Sequence, residues 1–397
     1  MLEGWTIKKL DDIGECRIGL TYSPDDVCDS GGTLVLRSSN IQKGRITYDD
    51  NVRVVGEVPK KALVKTGDIL ICVRNGSRSL IGKSAIISPA DADNAFGAFM
   101  AILRTDHSEF VFQLFQTDDF KRQVHRTLGA TINQITNADL RSFSFLFPPV
   151  PKQRKIAELL RTWDKAIEKL TALRAVNARR LDGIAQRLLV PSRAIGRDVP
   201  QSNWSLSSFG EVFEERKDKN AGLGASDVIT VGKYAIRKQS EHFTRSVASK
   251  DLSNYWIISP GDFVYDPMSA YYGAIGRFSG SADGILSPAY RVIRLSPDVD
   301  PEFMVALLRT HHIRFLLETR SSQGNKEGKR RLLQRDEFES IEFKLPSIET
   351  QREIAAKIAV FRAELDLTDR EIKALTRQKR GLMQKLLTGE WRVEVED

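Results

Sequence analysis

The sequence has few cysteines and no long apolar run, and both shortages argue against whole classes of protein. Three cysteines occur among 397 residues, namely Cys16, Cys28 and Cys72. Their odd number and the lack of Cys-x-x-Cys spacing argue against a disulfide framework or a cysteine-ligated zinc site, so we expect buried free thiols. No stretch approaches the roughly 18 apolar residues of a membrane helix, and the N-terminal region has no apolar signal segment. These features predict a soluble, cytoplasmic protein.

Common catalytic motifs are also missing. Gly76 to Ser84 resembles a phosphate-binding loop, but five residues separate its glycines where four are needed. The five histidines form no His-Glu-x-x-His pattern, and no Gly-x-Ser-x-Gly elbow or Asn/Asp-Pro-Pro-aromatic motif of amino-methyltransferases is present. A magnesium nuclease could be assembled from Pro297-Asp298 and Glu327-Gly328-Lys329, but Glu-x-Lys recurs elsewhere and the first half of the chain has no matching Pro-Asp. We therefore expect a binding protein with no catalytic residue, cofactor or metal of its own. Catalysis on DNA by the chain itself stays as the alternative.

The composition is that of a folded protein with a basic excess. Hydrophobic residues make up 41% and charged residues 28%, which argues against wholesale disorder, and the length predicts two to four domains. The net charge of +8 suits a polyanionic partner such as nucleic acid. Residues 152–197 hold twelve basic and four acidic residues, so this one segment carries the whole formal excess.

The second half of the sequence repeats the first. Two segments recur with a displacement of 194. Gly67-Asp68-Ile69-Leu70 recurs as Gly261-Asp262-Phe263-Val264, and Ile81-Gly82-Lys83 recurs as Ile275-Gly276-Arg277. A second group recurs with a displacement of 198. Pro148, Gln153-Arg154 and Ile156-Ala157 in the first half correspond to Pro346, Gln351-Arg352 and Ile354-Ala355 in the second. Constant displacements of this kind indicate two tandem copies of one unit.

Each copy combines a strand-rich domain with one long helix, which predicts an α+β fold. Short β-branched runs fill the domains, and each domain also holds a shorter helical stretch, near 109–126 and 301–320. The helices are predicted over 152–190 and 349–388, where proline is absent. The predicted boundaries are 1–147 for the first strand-rich domain, 148–199 for a central spacer helix, 200–345 for the second strand-rich domain and 346–397 for a C-terminal spacer helix.

Both long helices follow a heptad pattern. The seam positions are Ile156, Leu160, Trp163, Ile167, Leu170, Arg174, Asn177, Leu181, Ile184 and Leu188 in the first and Ile354, Ile358, Phe361, Leu365, Thr368, Ile372, Leu375, Lys379, Leu382 and Leu386 in the second. We expect an antiparallel coiled coil that holds the two domains at opposite ends of a stiff spacer, with the four polar seam residues fixing its register. Two separate helices, each covering its own domain, are the alternative. Gly183 and Gly381 predict either the close approach of another backbone, such as that of a partner subunit, or a bend.

These features together resemble the specificity (S) subunit of type I restriction-modification systems. The resemblance rests on the Pro…Gln-Arg…Ile-Ala helix ending Gly-x-x-Gln-(Arg/Lys)-Leu-Leu, present twice, and on Trp5…Leu10…Ile13, Leu36 to Ile41 with Gly44, Gly67 to Leu70 and Ile81 to Lys83. It covers essentially the whole chain. The second copy departs from the pattern, because Thr230 to Tyr234 matches the Arg37 run only loosely and Gln323 to Arg331 is longer and more basic than Gly129 to Gln134.

The resemblance implies a non-catalytic DNA-reading subunit. Each strand-rich domain would be a target recognition domain that reads one half of a split double-stranded DNA site, and divergence between the copies implies two different half-sites. The helices would dock methyltransferase subunits, two in number, and a restriction subunit where one exists. S-adenosylmethionine, ATP and Mg²⁺ are expected on those partners. A coiled-coil adaptor that never reads DNA is a further alternative.

Base-reading side chains should be polar, aromatic or basic and should lie on loops beside strands. The predicted readers of the first domain are Arg37, Arg74, Asn75, Ser77, Arg78, Thr131, Asn133 and Gln134. Those of the second domain are Ser269, Tyr271, Tyr272, Gln323, Asn325, Lys326, Lys329, Arg330 and Arg331.

Overall fold

The computed structural model describes residues 4–128, 133–190, 204–222, 224–233, 235–241, 251–323 and 331–394. Its contacts divide into two compact units, of which unit 1 is Met1–Leu170 with Glu371–Asp397 and unit 2 is Thr171–Arg370. No helix in the described ranges is both long and apolar enough to cross a membrane. The predicted α+β class is confirmed, and each long helix begins in one unit and ends in the other.

The described residues of unit 1 form twelve short strands, which are β1 (Thr6–Lys9), β2 (Glu15–Ile18), β3 (Val27–Cys28), β4 (Thr33–Leu36), β5 (Ile41–Gln42), β6 (Arg45–Ile46), β7 (Val52–Val54), β8 (Ile69–Cys72), β9 (Ser84–Ile86), β10 (Ala95–Phe96), β11 (Met100–Arg104) and β12 (Ser144–Phe147). The helices that begin in this unit are α1 (Leu10–Ile13), α2 (Ser108–Phe115), α3 (Asp118–Thr127), α4 (Asn137–Ser142) and α5 (Val150–Leu189).

Unit 2 follows the same plan, with the strands β13 (Ser205–Ser208), β14 (Phe213–Arg216), β15 (Ile229–Gly232), β16 (Ala235–Lys238), β17 (Trp256–Ile258), β18 (Phe263–Tyr265), β19 (Ile275–Arg277), β20 (Gly284–Leu286), β21 (Arg291–Leu295), β22 (Ser322–Gln323), β23 (Arg331–Leu332) and β24 (Glu342–Leu345). Its helices are α6 (Phe209–Val212), α7 (Pro301–Leu307), α8 (His311–Arg320), α9 (Arg335–Glu339) and α10 (Ile348–Leu387).

An antiparallel four-stranded sheet forms the centre of each unit. Its strand order is β2-β11-β8-β9 in unit 1 and β14-β21-β18-β19 in unit 2. All four residues of β8 are fully buried, which explains why the strand is a continuous apolar run rather than an alternating one. A small two-stranded sheet, β1-β12 or β13-β24, closes each copy next to the start of its long helix. The two copies thus have one topology at their centres.

The repeated Pro…Gln motif begins both long helices in the same way. The Nε2 of Gln153 donates to the carbonyl of Pro148 at 2.8 Å, and the Nε2 of Gln351 donates to the carbonyl of Pro346 at 2.9 Å. Both glutamines are buried. The side-chain bond accounts for the fixed spacing of proline and glutamine in the two copies, because the amide reaches back across the first turn of the helix.

The long helices run antiparallel, as expected. Within unit 2, Arg174 pairs with Asp369 at 2.8 and 3.1 Å, and Asn177 donates to Glu364 at 3.1 Å. Residue numbers therefore rise along α5 while they fall along α10. Within unit 1, the Nζ of Lys379 lies 2.6 Å from Asp164.

Three of the four polar seam residues thus pair across the seam. The fourth, Thr368, is buried and donates to the carbonyl of Glu364 in its own helix at 2.9 Å.

Added Cβ atoms at Gly183 and Gly381 would meet nothing within 4 Å among the described residues. Within the part of this chain that the structure describes, no other backbone therefore approaches either glycine, and contact with a partner subunit stays a prediction.

Three sequence-based expectations need correction. Each shorter helical stretch is two helices, because Thr117 and Thr310 accept hydrogen bonds from the backbone amides of Phe120 and Ile313 and so start a new helix. Cys28 is half-exposed, whereas the other two cysteines are buried free thiols as expected.

The third correction concerns the displacement of Ile81-Gly82-Lys83, which is not a structural equivalence. Ile71 pairs with Ser84 in unit 1, whereas its counterpart Tyr265 pairs with Ile275 in unit 2. Residues 72–83 lie between the paired residues in the first copy and residues 266–274 in the second, which is three residues fewer. The deletion is not evident from sequence, because Ile275-Gly276-Arg277 resembles Ile81-Gly82-Lys83 in residue type.

Candidate nucleic-acid interface

Two segments far apart in sequence meet where β8, an inner strand of the central sheet in unit 1, ends. We call residues 73–83, which join β8 to β9, the reading loop of unit 1. The amide of Ile135 donates to the carbonyl of Val73 at 2.8 Å, and Arg74 and Gln134 form an antiparallel bridge. The predicted readers from the two segments therefore lie side by side.

The same junction recurs in unit 2. The reading loop of unit 2 comprises residues 266–274, between β18 and β19. The amide of Leu333 donates to the carbonyl of Pro267 at 2.9 Å. This bond is equivalent to that between Ile135 and Val73, because Leu333 lies 198 residues after Ile135 and Pro267 lies 194 residues after Val73. One backbone arrangement therefore carries two different sets of side chains.

A buried carboxylate anchors the strand that leads into each reading loop. Asp68 accepts from the backbone amide of Lys65 at 2.8 Å and from two nitrogens of Arg104 at 2.8 and 2.6 Å. Gly67, with φ of +87°, makes the turn that a side chain would strain. In unit 2 Asp262 has the same role, and its carboxylate accepts from the guanidinium of Arg216. The Gly-Asp motif therefore supports the strand that leads into the loop.

Two of the predicted readers in unit 1 hold the loop in shape. Asn75 donates from Nδ2 to the hydroxyl of Ser38 at 3.0 Å, and its Oδ1 accepts from the amide of Ser77 at 2.9 Å. Asn133 donates from Nδ2 to the carbonyl of Gly76 at 3.1 Å. These amides fix the backbone, so their side chains have less capacity left for a base.

Arg74 and Arg78 are the exposed cations of this loop. The guanidinium carbon of Arg74 lies 4.9 Å from the ring centroid of Phe99, which is itself 54% exposed. The thiol of Cys72 donates to the carbonyl of Arg74 at 3.6 Å, and burial raises the pKa of this thiol to about 11. The thiol stays protonated at neutral pH, so it serves as packing beneath the loop.

Arg37 lies near the reading loop, but its guanidinium has a partner within the protein. The guanidinium of Arg37 donates to Asp50 at 2.9 Å, and the backbone amide of Arg37 donates to the side-chain oxygen of Asn40 at 2.9 Å. Asn40 is fully buried and also donates to the carbonyls of Thr47 and Asp50, each at 3.0 Å. The run around Arg37 is thus built around the asparagine, and a base contact from Arg37 would have to compete with Asp50.

The unit 2 loop presents aromatic side chains in place of arginines. Tyr272 is 58% exposed and lies beneath the ammonium of Lys233, which is 4.4 Å from the ring centroid. Tyr271 is covered by the guanidinium of Arg331 at 5.6 Å. Ser269 donates its hydroxyl to Asp266 and so closes the turn.

Arg331 also pairs with Glu318 at 3.2 Å, so its charge is partly neutralised within unit 2. Three contributors to the loop surfaces were missed from sequence, namely Phe99, Lys233 and Met268. None of them follows a recognisable motif. Met268 lies within the unit 2 loop itself, whereas the fold brings Phe99 and Lys233 to their loops.

Several predicted readers lie outside the described residues, namely Thr131, Asn325, Lys326, Lys329 and Arg330. Gln323 is described in its backbone, as the last residue of β22. Within the described ranges no group of three or more His, Cys, Asp or Glu side chains is arranged to hold a metal ion.

Comparisons with known proteins agree with the duplicated architecture. Residues 2–178 match the family model described as the type I restriction modification DNA specificity domain. The type I restriction enzyme StySPI specificity subunit of Salmonella potsdam is 23% identical, over 100% of this chain and 92% of the relative. The EcoKI specificity subunit of Escherichia coli K12 is 22% identical, with the same coverage of both chains. The crystal structure of a type I restriction-modification S subunit from M. genitalium superposes with a TM-score of 0.56 at 16% identity, covering 99% of this chain and 97% of the other.

The repeated fold and these matches define a protein that recognises DNA sequence. The first part of the chain matches the DNA specificity domain of type I restriction-modification systems, and its whole length is similar to specificity subunits of these systems, as the motifs indicated. The two alternative functions, an enzyme that itself acts on DNA and an adaptor without sequence readout, find no support in the comparisons.

Proposed function

We propose that this specificity subunit reads a bipartite, asymmetric DNA site, one half through the reading loop of unit 1 and the other through that of unit 2. The observation that carries the proposal is the duplicated junction of the loops. The bond from Ile135 to Val73 and the bond from Leu333 to Pro267 place the two loops alike. Because one loop carries arginines and the other tyrosines, two different half-sites follow.

The chemistry of the loop side chains supports base reading. Arginine and amide side chains match the donor and acceptor patterns of purines in the major groove, while aromatic and apolar side chains contact the methyl group of thymine or stack. Exposed arginines also bind phosphates, which position the protein without specifying sequence. Both kinds of contact fit a subunit whose work is recognition.

The proposal assigns catalysis to partners in trans. Adenine methylation would come from methyltransferase subunits, which we place at two per chain because the repeat offers two similar surfaces. Cleavage would come from restriction subunits where these exist. The partners, rather than this chain, would bind S-adenosylmethionine, ATP and Mg²⁺, and the complex would act on double-stranded DNA in the cytoplasm.

Co-expression with a methyltransferase subunit, followed by genome-wide mapping of methylated adenines, tests the proposal. The expected result is a single bipartite motif with two unlike halves. Scattered methylation, or none from an assembled complex, would contradict sequence readout. The purified chain alone, given S-adenosylmethionine or Mg²⁺, should neither methylate nor cut the same DNA, and activity in this arm would refute catalysis in trans.

Matched variants test the division of labour. Arg78→Ala should weaken methylation in a manner that depends on one half-site, and Tyr272→Ala should do the same for the other half-site. Arg122→Ala is the control, because this arginine lies on α3 and pairs with Asp119 of the same helix at 3.1 Å. An equal change in both half-sites from either loop variant would refute one loop per half.

A further inference from the structure

The duplicated junction identifies which side chains of the two units occupy the same place. Ile135 and Leu333 donate equivalent bonds to Val73 and Pro267. The next residue along the loop is therefore Arg74 in unit 1 and Met268 in unit 2. The residue before the donor is Gln134 in unit 1 and Leu332 in unit 2, so a cationic and amide pair in one copy is an apolar pair in the other.

Arg74 is held in position at three points. Its backbone forms a bridge with Gln134, its amide donates to the carbonyl of Phe99 at 3.1 Å, and its guanidinium lies over the ring of Phe99. Residues bridged in this way across antiparallel segments have side chains on the same face, with Cβ atoms roughly 5 Å apart. The side chain is thus ordered before any ligand arrives, which lowers the entropy that binding must overcome.

The donors of Arg74 remain available. In the described part of the chain its guanidinium has no carboxylate partner, whereas Arg37 pairs with Asp50 and Arg331 with Glu318. Arg74 is also exposed. Among the described arginines predicted as readers, it combines exposure and free donors with the support of an aromatic ring.

We propose that Arg74, with Gln134 beside it, selects a guanine in the half-site read by unit 1. This inference rests on the proposed function. Guanine presents two acceptors, O6 and N7, in the major groove, and the guanidinium fork can donate to both at once. Adenine replaces one acceptor with a donor, cytosine offers an amino donor, and thymine offers a single acceptor beside its methyl group. Met268 has no donor, so the matched position in unit 2 imposes no such requirement.

The test substitutes Arg74→Met in the full chain, co-expressed with its methyltransferase subunit. Methionine keeps an apolar stem against Phe99 and is the residue that unit 2 carries at the matched position, so folding should be retained. Methylated motifs are mapped, and binding of the assembled complex is measured on duplexes that carry each of the four bases at every guanine of the motif. Arg122→Ala is the control, and a second variant, Arg74→Ala, repeats the measurement with a shorter side chain.

The wild-type complex should require a guanine at one position of one half-site. Both Arg74 variants should relax that requirement by about 5- to 150-fold, the range expected for one bidentate contact, and leave the other half-site unchanged. Uniform weakening on all sequences would mean a phosphate contact and would overturn the inference, as would an unchanged motif or a motif without guanine in either half. If the wild-type complex shows no bipartite motif, the proposed function itself fails.

Discussion

The pair formed by Asp164 and Lys379 offers a quantitative test of the antiparallel seam in unit 1. The Nζ of Lys379 lies 2.6 Å from Oδ1 of Asp164, and the lysine side chain is 13% exposed against 39% for the aspartate. Oδ2 of Asp164 also accepts from Gln113 at 3.3 Å. Lysine thus occupies a seam position with its charge largely withdrawn from water, and aspartate is its counter-ion.

The burial of the lysine makes the two single substitutions unequal. Asp164→Ala leaves an ammonium in the seam without its carboxylate, and we expect the free energy of unfolding to fall by about 2 kcal/mol. This value lies between the 0–1 kcal/mol typical of exposed pairs and the 3–5 kcal/mol of buried ones. Lys379→Met removes the charge but keeps an apolar stem in the seam, so its cost should stay under about 1 kcal/mol. The double variant should resemble Lys379→Met.

Urea denaturation followed by far-ultraviolet circular dichroism and by tryptophan fluorescence, to which the neighbouring seam residue Trp163 contributes, measures both effects. The control is the pair of Asp119 and Arg122, whose side chains are 51% and 63% exposed, and whose coupling in a double-mutant cycle should stay below about 0.5 kcal/mol. Equal losses for Asp164→Ala and Lys379→Met, or a coupling no larger than that of the control, would refute the role of the pair in the seam.

Three further predictions follow from burial and hydrogen bonding. Asp68→Asn should cost about 3 kcal/mol in thermal or urea unfolding, because Arg104 loses a buried counter-ion below the reading loop; a loss under 1 kcal/mol would contradict this. Gln351→Leu should destabilise more than Gln153→Leu, by about 1 kcal/mol, because the Oε1 of Gln351 accepts from a backbone amide at 2.8 Å, whereas that of Gln153 has no partner among the described residues. In a thiol titration of the native protein at pH 8, Cys28 should react first. Burial raises the pKa of the other two thiols to about 12 and 11, so they stay protonated until unfolding exposes them, and three rapid reactions in the native state would contradict the structure.

The reading loops show where sequence reasoning reached its limit. Short polar segments beside strands were predicted to read bases, and the fold does bring Arg74 and Gln134 together. Sequence could not show that Asn75 and Asn133 hold the loop backbone, or that Arg37 pairs with Asp50. A hydrogen bond depends on the distance between two atoms, and residues 57 or 13 positions apart carry no local signal of it.

The apparent repeat at Ile275 shows that sequence similarity did not predict the strand register. Matching letters at one displacement suggested loops of equal length, but the strand register removes three residues from the loop of unit 2. Register depends on which backbone groups pair across the sheet, and similar residue types satisfy either alignment. The displacement of 194 still holds at Arg74 and Met268, so the deletion lies further along the loop, before Ile275.

The sequence by itself determined the duplication, the α+β class and the two long antiparallel helices, because these depend on periodic apolar positions and on displacements that persist along the chain. Predicted bounds of 152–190 and 349–388 differ by at most two residues from Val150–Leu189 and Ile348–Leu387. The motifs also pointed to the specificity-subunit family. Tertiary structure alone decided which polar side chains support a loop and which remain free to meet DNA, because that choice depends on contacts between segments that are distant in sequence.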